Sequence, residues 1–380
     1  MSRLWPRFLV RVGAALLVAV SVAVLAAGCG GGAAEPKTIK IGVAAPITTT
    51  LGEDFANGAK LAAKQANDKG GVLGKKVEIV AMDDQADPKQ ATNVAQRLVD
   101  AGVVGVVGHF TSGTTIPTTS IYAKARIPQV TPASNPQVTA QGFDNVFRLN
   151  PDDTVQGRAM GDYAVKVLGL KSFAIIHDKQ AFGQGVAEQF QAAVQASGGT
   201  ITSFNGITPG DVDFKSVLTK IKGENPDAVY FGGTYQEGGL IVNQMRALGM
   251  TQLFLAPDSC YGSDFVKTAT PQYAEGAIIS FPAPPLDSSP ELRQFVQEYK
   301  AEFGKDTILG EYGYDGALII IQAIQKCGSA DPDAVRKTIH SETFKGTLHN
   351  YKFDDKGNLV QEKFPIYQVK DGQFQFLGLF

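Results

Sequence analysis

The chain has 380 residues, of which 44% are hydrophobic and 19% are charged. This composition is typical of a globular protein and excludes a disordered or fibrous chain, and the length is enough for two domains. A formal net charge of −2 provides no general electrostatic attraction to nucleic acid or to anionic lipid surfaces. We therefore predict no nucleic-acid partner, and any membrane association must arise from a local feature.

The N-terminus carries such a feature. Basic residues precede an apolar stretch over residues 12–27, which ends just before Cys29. The stretch is short and lacks a following basic stop-transfer cluster, so it favours a secretion signal over a retained transmembrane helix. The small residues before Cys29 resemble a bacterial lipobox, although Ala26 stands where Leu is usual. We predict a lipoprotein signal peptide over residues 1–28 and lipidation of Cys29, with an ordinary signal peptide as the alternative.

These features predict a protein of the periplasm or cell-envelope exterior that is held to the membrane by its lipid anchor only. Residues 29–37 have no apolar period, and we predict that they form a flexible tether. Beyond the tether, the mature chain contains two cysteines, Cys260 and Cys327. An oxidising compartment permits a disulfide between them, but the sequence does not supply their distance, so this pairing stays open.

From residue 38 onward, short apolar runs alternate with longer segments of helical period. This alternation is the pattern of an α/β architecture with largely parallel sheets. The first block predicts strands over residues 39–43, 77–82, 103–107 and 128–131. The same rhythm restarts near Asp152, with strands predicted over residues 173–176, 228–231 and 252–255. The repetition predicts two similar three-layer α/β lobes.

Three connections between the lobes are expected. The Pro-rich segment over residues 281–290 excludes regular structure and predicts one crossover, and others are expected near Asn150 and Leu348. The tail from residue 344 alternates like β-hairpins. The predicted ranges are 38–150 and 283–347 for lobe 1, and 151–282 and 348–380 for lobe 2.

Motifs for catalysis or metal binding are absent from the sequence. It contains no Gly-x-Ser-x-Gly elbow, no Walker loop, no Gly-x-Gly-x-x-Gly after a strand, no paired-Cys zinc spacing and no His-Glu-x-x-His. His109 and His177 lie at predicted strand ends, where a hydrogen-bonded structural role is the better interpretation. We therefore predict a protein that is not an enzyme and that has no metal and no cofactor.

The loops after two strands of the first block carry signals for ligand binding. Thr111 and Ser112 follow the strand over residues 103–107, just where a helix is expected to begin, and Ala133 and Ser134 follow the next strand. Open α/β sheets bind ligands outside the carboxyl ends of their strands, and a helix N-terminus offers N–H donors and a favourable dipole to an anion. We predict a carboxylate site without any arginine, with simple helix capping as the alternative.

The second block provides charge of the opposite sign. Tyr235 follows the strand over residues 228–231, and Asp258 follows the strand over residues 252–255. Asp258 can neutralise an ammonium group, and Tyr235 can orient it by stacking or through its hydroxyl. A surface turn explains Asp258 equally well when the residue is considered alone.

Several motifs together resemble those of a known family. They are residues 83–91 (DDQADPKQA), Gly108-His109 with Ser112, Ser134-Asn135-Pro136, Phe147-Arg148, Ile176-His177-Asp178 with Phe182-Gly183, and Tyr314-Asp315-Gly316. From about Thr38 to the C-terminus, the chain resembles the type I periplasmic binding proteins of branched-chain amino acid importers, also called leucine/isoleucine/valine-binding proteins. The resemblance implies two α/β lobes joined by a multi-strand hinge.

The resemblance also implies roles for particular residues. Ser112, the Ala133 backbone and Ser134, with Thr111 beside them, would hold the ligand α-carboxylate, and Asp258 and Tyr235 would hold the α-ammonium group. Candidates for the side-chain pocket are Leu51, Phe110, Phe182 and Tyr261. Two departures bear on ligand identity: Asp258 stands where the best-known members have Glu, and Ala86 and Thr111 occupy the positions of the family's early disulfide.

The implied function is that of a monomeric solute-binding protein of an ABC importer. It would capture a branched-chain or related amino acid by hinge closure and deliver it to the permease subunits. Relatives of this type also bind aliphatic amides, urea or aromatic acids, so a non-amino-acid ligand is one alternative. A sensory ligand-binding module with the same fold is another, and an exported enzyme is a third.

Overall fold

The computed structural model describes residues 38–361 and 363–380. The predicted signal peptide, tether and lipidation site at Cys29 lie outside the described residues. The described chain forms two α/β lobes, each built around its own sheet. The predicted fold class, with parallel-type sheets in two lobes, is confirmed.

The sheet of lobe 1 has five parallel strands in the order β2-β1-β3-β4-β5. Most of β1 is buried and apolar, as expected for a strand in the middle of a sheet that helices cover on both faces. The strands are β1 (Thr38–Ala45), β2 (Lys76–Asp83), β3 (Val106–Gly108), β4 (Gln129–Thr131) and β5 (Val146–Arg148).

The helices of lobe 1 come from two parts of the chain. Asp87 caps one of them as the sequence predicts: its carboxylate accepts the amides of Lys89 and Gln90 at 2.9 and 2.8 Å, and Pro88 occupies the first helical position. The helices are α1 (Thr50–Asp68), α2 (Pro88–Asp100), α3 (Ser112–Lys124) and α4 (Gln137–Ala140), and later α11 (Pro290–Phe303), α12 (Gly310–Cys327) and α13 (Pro332–Ser341).

The sheet of lobe 2 has seven strands in the order β14-β13-β10-β9-β8-β6-β7. Five neighbouring strands are parallel: β10, β9, β8, β6 and β7. The other two, β13 and β14, pair antiparallel with their neighbours. The strands are β6 (Ser172–His177), β7 (Thr200–Gly206), β8 (Ala228–Gly232), β9 (Leu253–Ala256), β10 (Ile278–Ser280), β13 (Pro365–Lys370) and β14 (Gln373–Leu379).

Within the described residues, six helices accompany the sheet of lobe 2. They are α5 (Asp153–Asp162), which a π-helical turn at Tyr163–Val167 continues, α6 (Ala181–Ala196), α7 (Lys215–Glu224), α8 (Tyr235–Ala247), α9 (Ser263–Ala269) and α10 (Pro271–Ala274). Separate apolar clusters fill the two faces of this sheet, while lobe 1 has a large core around Phe55, Phe147 and Ile320. Each lobe therefore has a core of its own.

Residues near the C-terminus pack against lobe 1 before the chain rejoins lobe 2. A short hairpin of β11 (Phe344–Lys345) and β12 (Asn350–Tyr351) is followed by Gly357, whose carbonyl accepts the Arg148 amide at 2.8 Å. The amide oxygen of Asn358 accepts the Thr139 hydroxyl at 2.8 Å. The hairpins predicted for the tail are confirmed. Among the residues that the structure describes, no helix combines the length and apolar character needed to cross a membrane.

Candidate ligand-binding site

A cavity of about 420 Å³ lies between the lobes, at the carboxyl ends of strands from both sheets. Its volume is within the range usual for small-molecule sites. The residues lining it include all ten that were singled out from the sequence: Leu51, Phe110, Thr111, Ser112, Ala133, Ser134, Phe182, Tyr235, Asp258 and Tyr261. The structure therefore brings together residues that are up to 210 positions apart in the chain.

The wall from lobe 1 begins at the N-terminus of α3. Gly108, at the end of β3, has a positive φ of 117°, and a Cβ there would lie 2.1 Å from the Ala44 carbonyl oxygen, so this sharp exit from the sheet requires glycine. Thr111 caps α3 through its hydroxyl. The amides of Ser112 and Gly113 make no hydrogen bond within the described residues. Capping thus coexists with two free N–H donors at the positive end of the helix dipole.

The loop after β4 completes this wall. Ser134 is 3% exposed, and its carbonyl accepts the Asp153 amide at 2.8 Å. Ala133 lines the cavity, but its N–H already donates to the Thr131 hydroxyl at 3.0 Å and its carbonyl accepts the Arg148 guanidinium group. The Ala133 backbone is therefore a fixed surface whose polar groups have partners, and Ser134 lines the cavity with its hydroxyl beside the buried carboxyl of Asp153.

The wall from lobe 2 carries acidic groups. Asp258 begins a short 3-10 turn after β9, where its Oδ1 accepts the Ser259 amide at 3.1 Å and the Gln156 side-chain amide at 3.3 Å. Although Asp258 retains intermediate exposure at the cavity, it lies deep among protein atoms, and this burial raises the pKa of its carboxyl to about 6. Its Oδ2 has no hydrogen bond within the described residues.

Asp178 is a second acid on this wall that the sequence analysis did not assign to the site. Its Oδ1 accepts the Gln180 amide at 2.8 Å, and burial raises the pKa of its carboxyl to about 6. Asp178 directly follows β6, the same strand-end placement that identified Asp258, so a signal for it was present. Gln156 had no such signal, because it lies inside α5 and reaches the site only through the fold.

A third acid, Asp153, lies behind the cavity at the start of α5. It is fully buried, its two carboxyl oxygens have no hydrogen-bond partner among the described residues, and burial raises its pKa to about 8. No Lys, Arg or His is among the described residues that line the cavity. The chemistry of the walls is therefore one-sided: neutral donors from lobe 1 and carboxyl groups from lobe 2.

Aromatic rings form an apolar wall. Tyr261 stacks on Phe281 with ring centroids 4.0 Å apart, and Phe110 meets Phe55 edge-on at 5.4 Å. Phe281 lies on the second connection between the lobes, and sequence reasoning did not place it in the site. Leu309 and Tyr312 also line the cavity and come from the start of α12.

The histidines have the structural role predicted for them. His109 is fully buried, with Nδ1 2.6 Å from Asp84 Oδ2 and Nε2 3.0 Å from the Tyr122 hydroxyl. His177 accepts the Lys179 amide and packs on Phe204. The disulfide that the sequence left open is not formed: Cys260 and Cys327 are free thiols. Within the described residues, no group of acids, histidines and cysteines is arranged to hold a metal ion.

Two α/β lobes with a small, polar-ended cavity between them define a two-lobe solute-binding protein. The chain belongs to the periplasmic binding protein family, whose family model matches residues 38–373. The resemblance to leucine/isoleucine/valine-binding proteins inferred from the sequence motifs is confirmed, and the family is one of solute-binding proteins rather than of enzymes.

Relatives and solved structures agree with this assignment. An amino acid binding protein of Pseudomonas aeruginosa is 36% identical over 88% of this chain and 90% of its own length. The crystal structure of a leucine-binding protein, LivK, from Thermotoga maritima superposes with a TM-score of 0.83 at 30% identity, covering 90% of this chain and 98% of that one. LivJ from Streptococcus pneumoniae, solved in complex with isoleucine, gives a TM-score of 0.81 at 27% identity, with coverage of 90% and 98%.

Proposed function

We propose that this protein captures a branched-chain or closely related amino acid between its lobes and delivers it to the permease of an ABC importer. The observation that carries the proposal is the opposite polarity of the two walls: neutral N–H and O–H donors face buried carboxyl groups across a cavity of about 420 Å³. An α-amino acid is a zwitterion, so its two charged ends match these walls. The ligands named for the relatives support the same class.

The proposed carboxylate site is the lobe 1 wall. It comprises the free amides of Ser112 and Gly113 at the N-terminus of α3 and the side chains of Ser112 and Ser134, which line the same cavity. Thr111 contributes by capping this helix. The Ala133 backbone contributes as a fixed surface, because its amide is committed to Thr131. Preformed dipoles can hold a carboxylate without a positively charged side chain.

The proposed ammonium site is the lobe 2 wall. Asp258 supplies the negative charge, and Tyr235 at the start of α8 orients the ammonium group. The free Oδ2 of Asp258 is available as an acceptor. A ligand that lacks the ammonium group leaves this buried acid unpaired, which provides selectivity for amino acids.

We propose that Leu51, Phe110, Phe182 and Tyr261 surround the ligand side chain. All four line the same cavity, together with Phe281 and Leu309. Aromatic and aliphatic groups of this kind favour an apolar ligand side chain because its burial removes apolar surface from water. A branched aliphatic side chain fits this lining better than a charged one.

Ligand capture is proposed to close a hinge made of three connections. We place them near Asn150, near Phe281 and just before β13. The third is later than the position near Leu348 expected from the sequence, because the Leu348 amide donates to the Asp315 carboxylate at 3.0 Å in lobe 1 and Leu359 belongs to the core of that lobe. The proposed lobe ranges are therefore 38–150 with 283–361, and 151–282 with 363–380.

The cellular setting is also proposed, on the N-terminal sequence. We propose cleavage before Cys29, lipid attachment to its thiol, and a monomeric protein outside the cytoplasm that has no catalytic activity. A Cys29→Ser variant tests the anchor. We expect the native protein to take up a radiolabelled fatty acid and to fractionate with membranes, and the variant to do neither. Membrane fractionation of the variant without label would contradict the lipid anchor.

The proposed ligand class is tested by thermal unfolding of the chain from Ala34 onward, which contains the whole compact unit Thr38–Phe380. A ligand that binds the native state raises the unfolding midpoint with the logarithm of its concentration. We expect leucine, isoleucine or valine to raise it, and aliphatic amides, urea and aromatic acids to leave it unchanged. A shift by one of the latter molecules alone would replace the amino-acid assignment with that ligand.

A further inference from the structure

A direct hydrogen bond joins the two lobes beside the cavity. The side-chain Nδ2 of Asn135 donates to the main-chain oxygen of Ala181 at 2.6 Å. Asn135 follows β4 in lobe 1, and Ala181 is the first residue of α6 in lobe 2. This bond forms only when the two lobes are close together. Asn135 does not line the cavity, so the bond acts beside the ligand and not on it.

Lobe 1 holds the Asn135 side chain in one orientation. Its Oδ1 accepts the Gln137 amide at 2.9 Å, which leaves the Nδ2 group to face lobe 2. Its main-chain N–H donates to the Ser112 hydroxyl at 3.2 Å. Asn135 therefore connects the proposed carboxylate site, through Ser112, with the surface of the opposite lobe, through Ala181.

Lobe 2 accommodates this side chain because a glycine stands opposite. Gly185 lies one turn after Ala181 on α6, and a Cβ added to it would lie 2.4 Å from Asn135 Nδ2. Apart from Asn135, the atom nearest to the added Cβ is Asp153 Oδ2 at 3.6 Å, an ordinary contact distance. Asn135 is thus the obstacle to a larger residue at this position, and Gly185, like Asn135, does not line the cavity.

We propose that Asn135 is a positioning residue that holds the lobes in the closed state, with Gly185 as its receiving surface. This proposal takes the ligand class from the proposed function, whereas the contact between the lobes is seen in the structure itself. Because the contact exists only after closure, it retards opening and leaves the encounter with ligand unchanged. Its loss therefore raises the dissociation rate constant of the ligand and not the association rate constant.

Two variants from opposite lobes test the proposal. Asn135→Asp keeps Oδ1 as the acceptor for the Gln137 amide and replaces the donor by an oxygen that faces the Ala181 carbonyl. Gly185→Ala leaves Asn135 intact and obstructs it with a methyl group. The matched control is Gly223→Ala on the exposed side of α7, where an added Cβ has no atom within 4 Å.

The first measurement is isoleucine binding by stopped-flow fluorescence and calorimetry. We expect the Kd to rise about tenfold for Asn135→Asp and roughly three- to tenfold for Gly185→Ala, entirely through faster dissociation. Both glycine variants should unfold at higher temperature without ligand, because alanine is the better helix former. Only Gly185→Ala should combine this stabilisation with weaker binding, a combination that a purely structural role does not produce. Unchanged Kd and dissociation rates in both lobe variants would overturn the proposal.

A failure of the proposed function would be recognised separately. If the wild-type protein binds none of the branched-chain amino acids, the ligand assignment falls, and the same kinetic measurement with the aliphatic amide, urea or aromatic acid that raises the unfolding midpoint decides the role of Asn135. The wild type and Gly223→Ala should then release this ligand more slowly than Asn135→Asp and Gly185→Ala. Equal dissociation rates in all four proteins would overturn the proposal.

Discussion

The two walls of the cavity meet opposite ends of a ligand by different physical means. Lobe 1 presents preformed dipoles at the start of α3, which carry no formal charge and do not titrate near neutral pH. Lobe 2 presents Asp258 and Asp178. Burial disfavours the ionised form of each carboxyl and raises its pKa to about 6. Recognition of the cationic end should therefore be the stronger and the more pH-sensitive half of binding.

The largest effect should follow from removing the charge of lobe 2. In Asp258→Asn the side chain keeps its shape, but the ligand ammonium group is buried without a counter-charge. Because truncating one partner of a buried charge pair costs ~2–5 kcal/mol, we expect isoleucine binding to weaken roughly 30-fold or more in calorimetric titrations. Asp371→Asn, on the exposed turn between β13 and β14, is the matched control and should bind as the wild type does. Equal losses in both variants would remove Asp258 from the site.

The next effect is the pH dependence of binding. Between pH 7 and pH 5 the ligand stays zwitterionic, while the Asp258 carboxyl, with a pKa of about 6, changes from mostly ionised to mostly protonated. We expect the Kd for isoleucine to rise about tenfold over this interval, since only the ionised form binds the ammonium group strongly. A Kd that is constant from pH 7 to pH 5, measured by calorimetry, would contradict the assignment of the charge to this carboxyl.

Removing one neutral donor should have a smaller effect. Ser112→Ala deletes a hydroxyl but leaves the backbone amides and the dipole of α3 in place. We expect the Kd to rise about three- to tenfold, the range for a single uncharged hydrogen bond. Ser341→Ala at the exposed end of α13 serves as the control. A loss as large as that of Asp258→Asn would show that the two walls contribute equally and would break the comparison.

The smallest expected effect concerns the ligand-free protein. Burial raises the pKa of Asp153 to about 8, above its ordinary value of 3.8, so the folded state binds this proton more tightly than the unfolded chain. The resulting stabilisation is present at low pH and is lost as pH rises through about 8. We expect the calorimetric unfolding midpoint to fall by a few degrees from pH 6 to pH 9, and Asp153→Asn to reduce that fall. An identical slope in the two proteins would show that Asp153 does not contribute.

Much of the site could be predicted because it lies at strand ends. In a parallel sheet, the carboxyl ends of strands meet at one edge, so Thr111, Ser112 and Ser134 could be grouped at the edge of the first sheet and Asp258 placed at the edge of the second. The resemblance to the family then added the apolar residues, such as Phe182. Those predictions required only strand order and local motifs.

Other features depend on tertiary geometry that local patterns do not contain. Gln156 reaches Asp258 from inside a helix, and Phe281 enters the cavity from a connection between lobes. The resemblance implies that the Ala133 backbone helps to hold the ligand carboxylate, but it does not reveal that the Ala133 amide donates to the Thr131 hydroxyl. The return of Gly357 to β5 likewise depends on a pairing over more than 200 residues, which no sequence period reveals.

The central claim is that both ends of an amino acid are bound at once, and a matched ligand series tests it most directly. Calorimetric titrations would compare isoleucine with isoleucinamide, which lacks the carboxylate, and with 3-methylpentanoate, which lacks the ammonium group. We expect isoleucine to bind and each analogue to bind at least tenfold more weakly, with 3-methylpentanoate the weakest of the three. Binding of 3-methylpentanoate as tight as that of isoleucine would show that the ammonium group is not recognised.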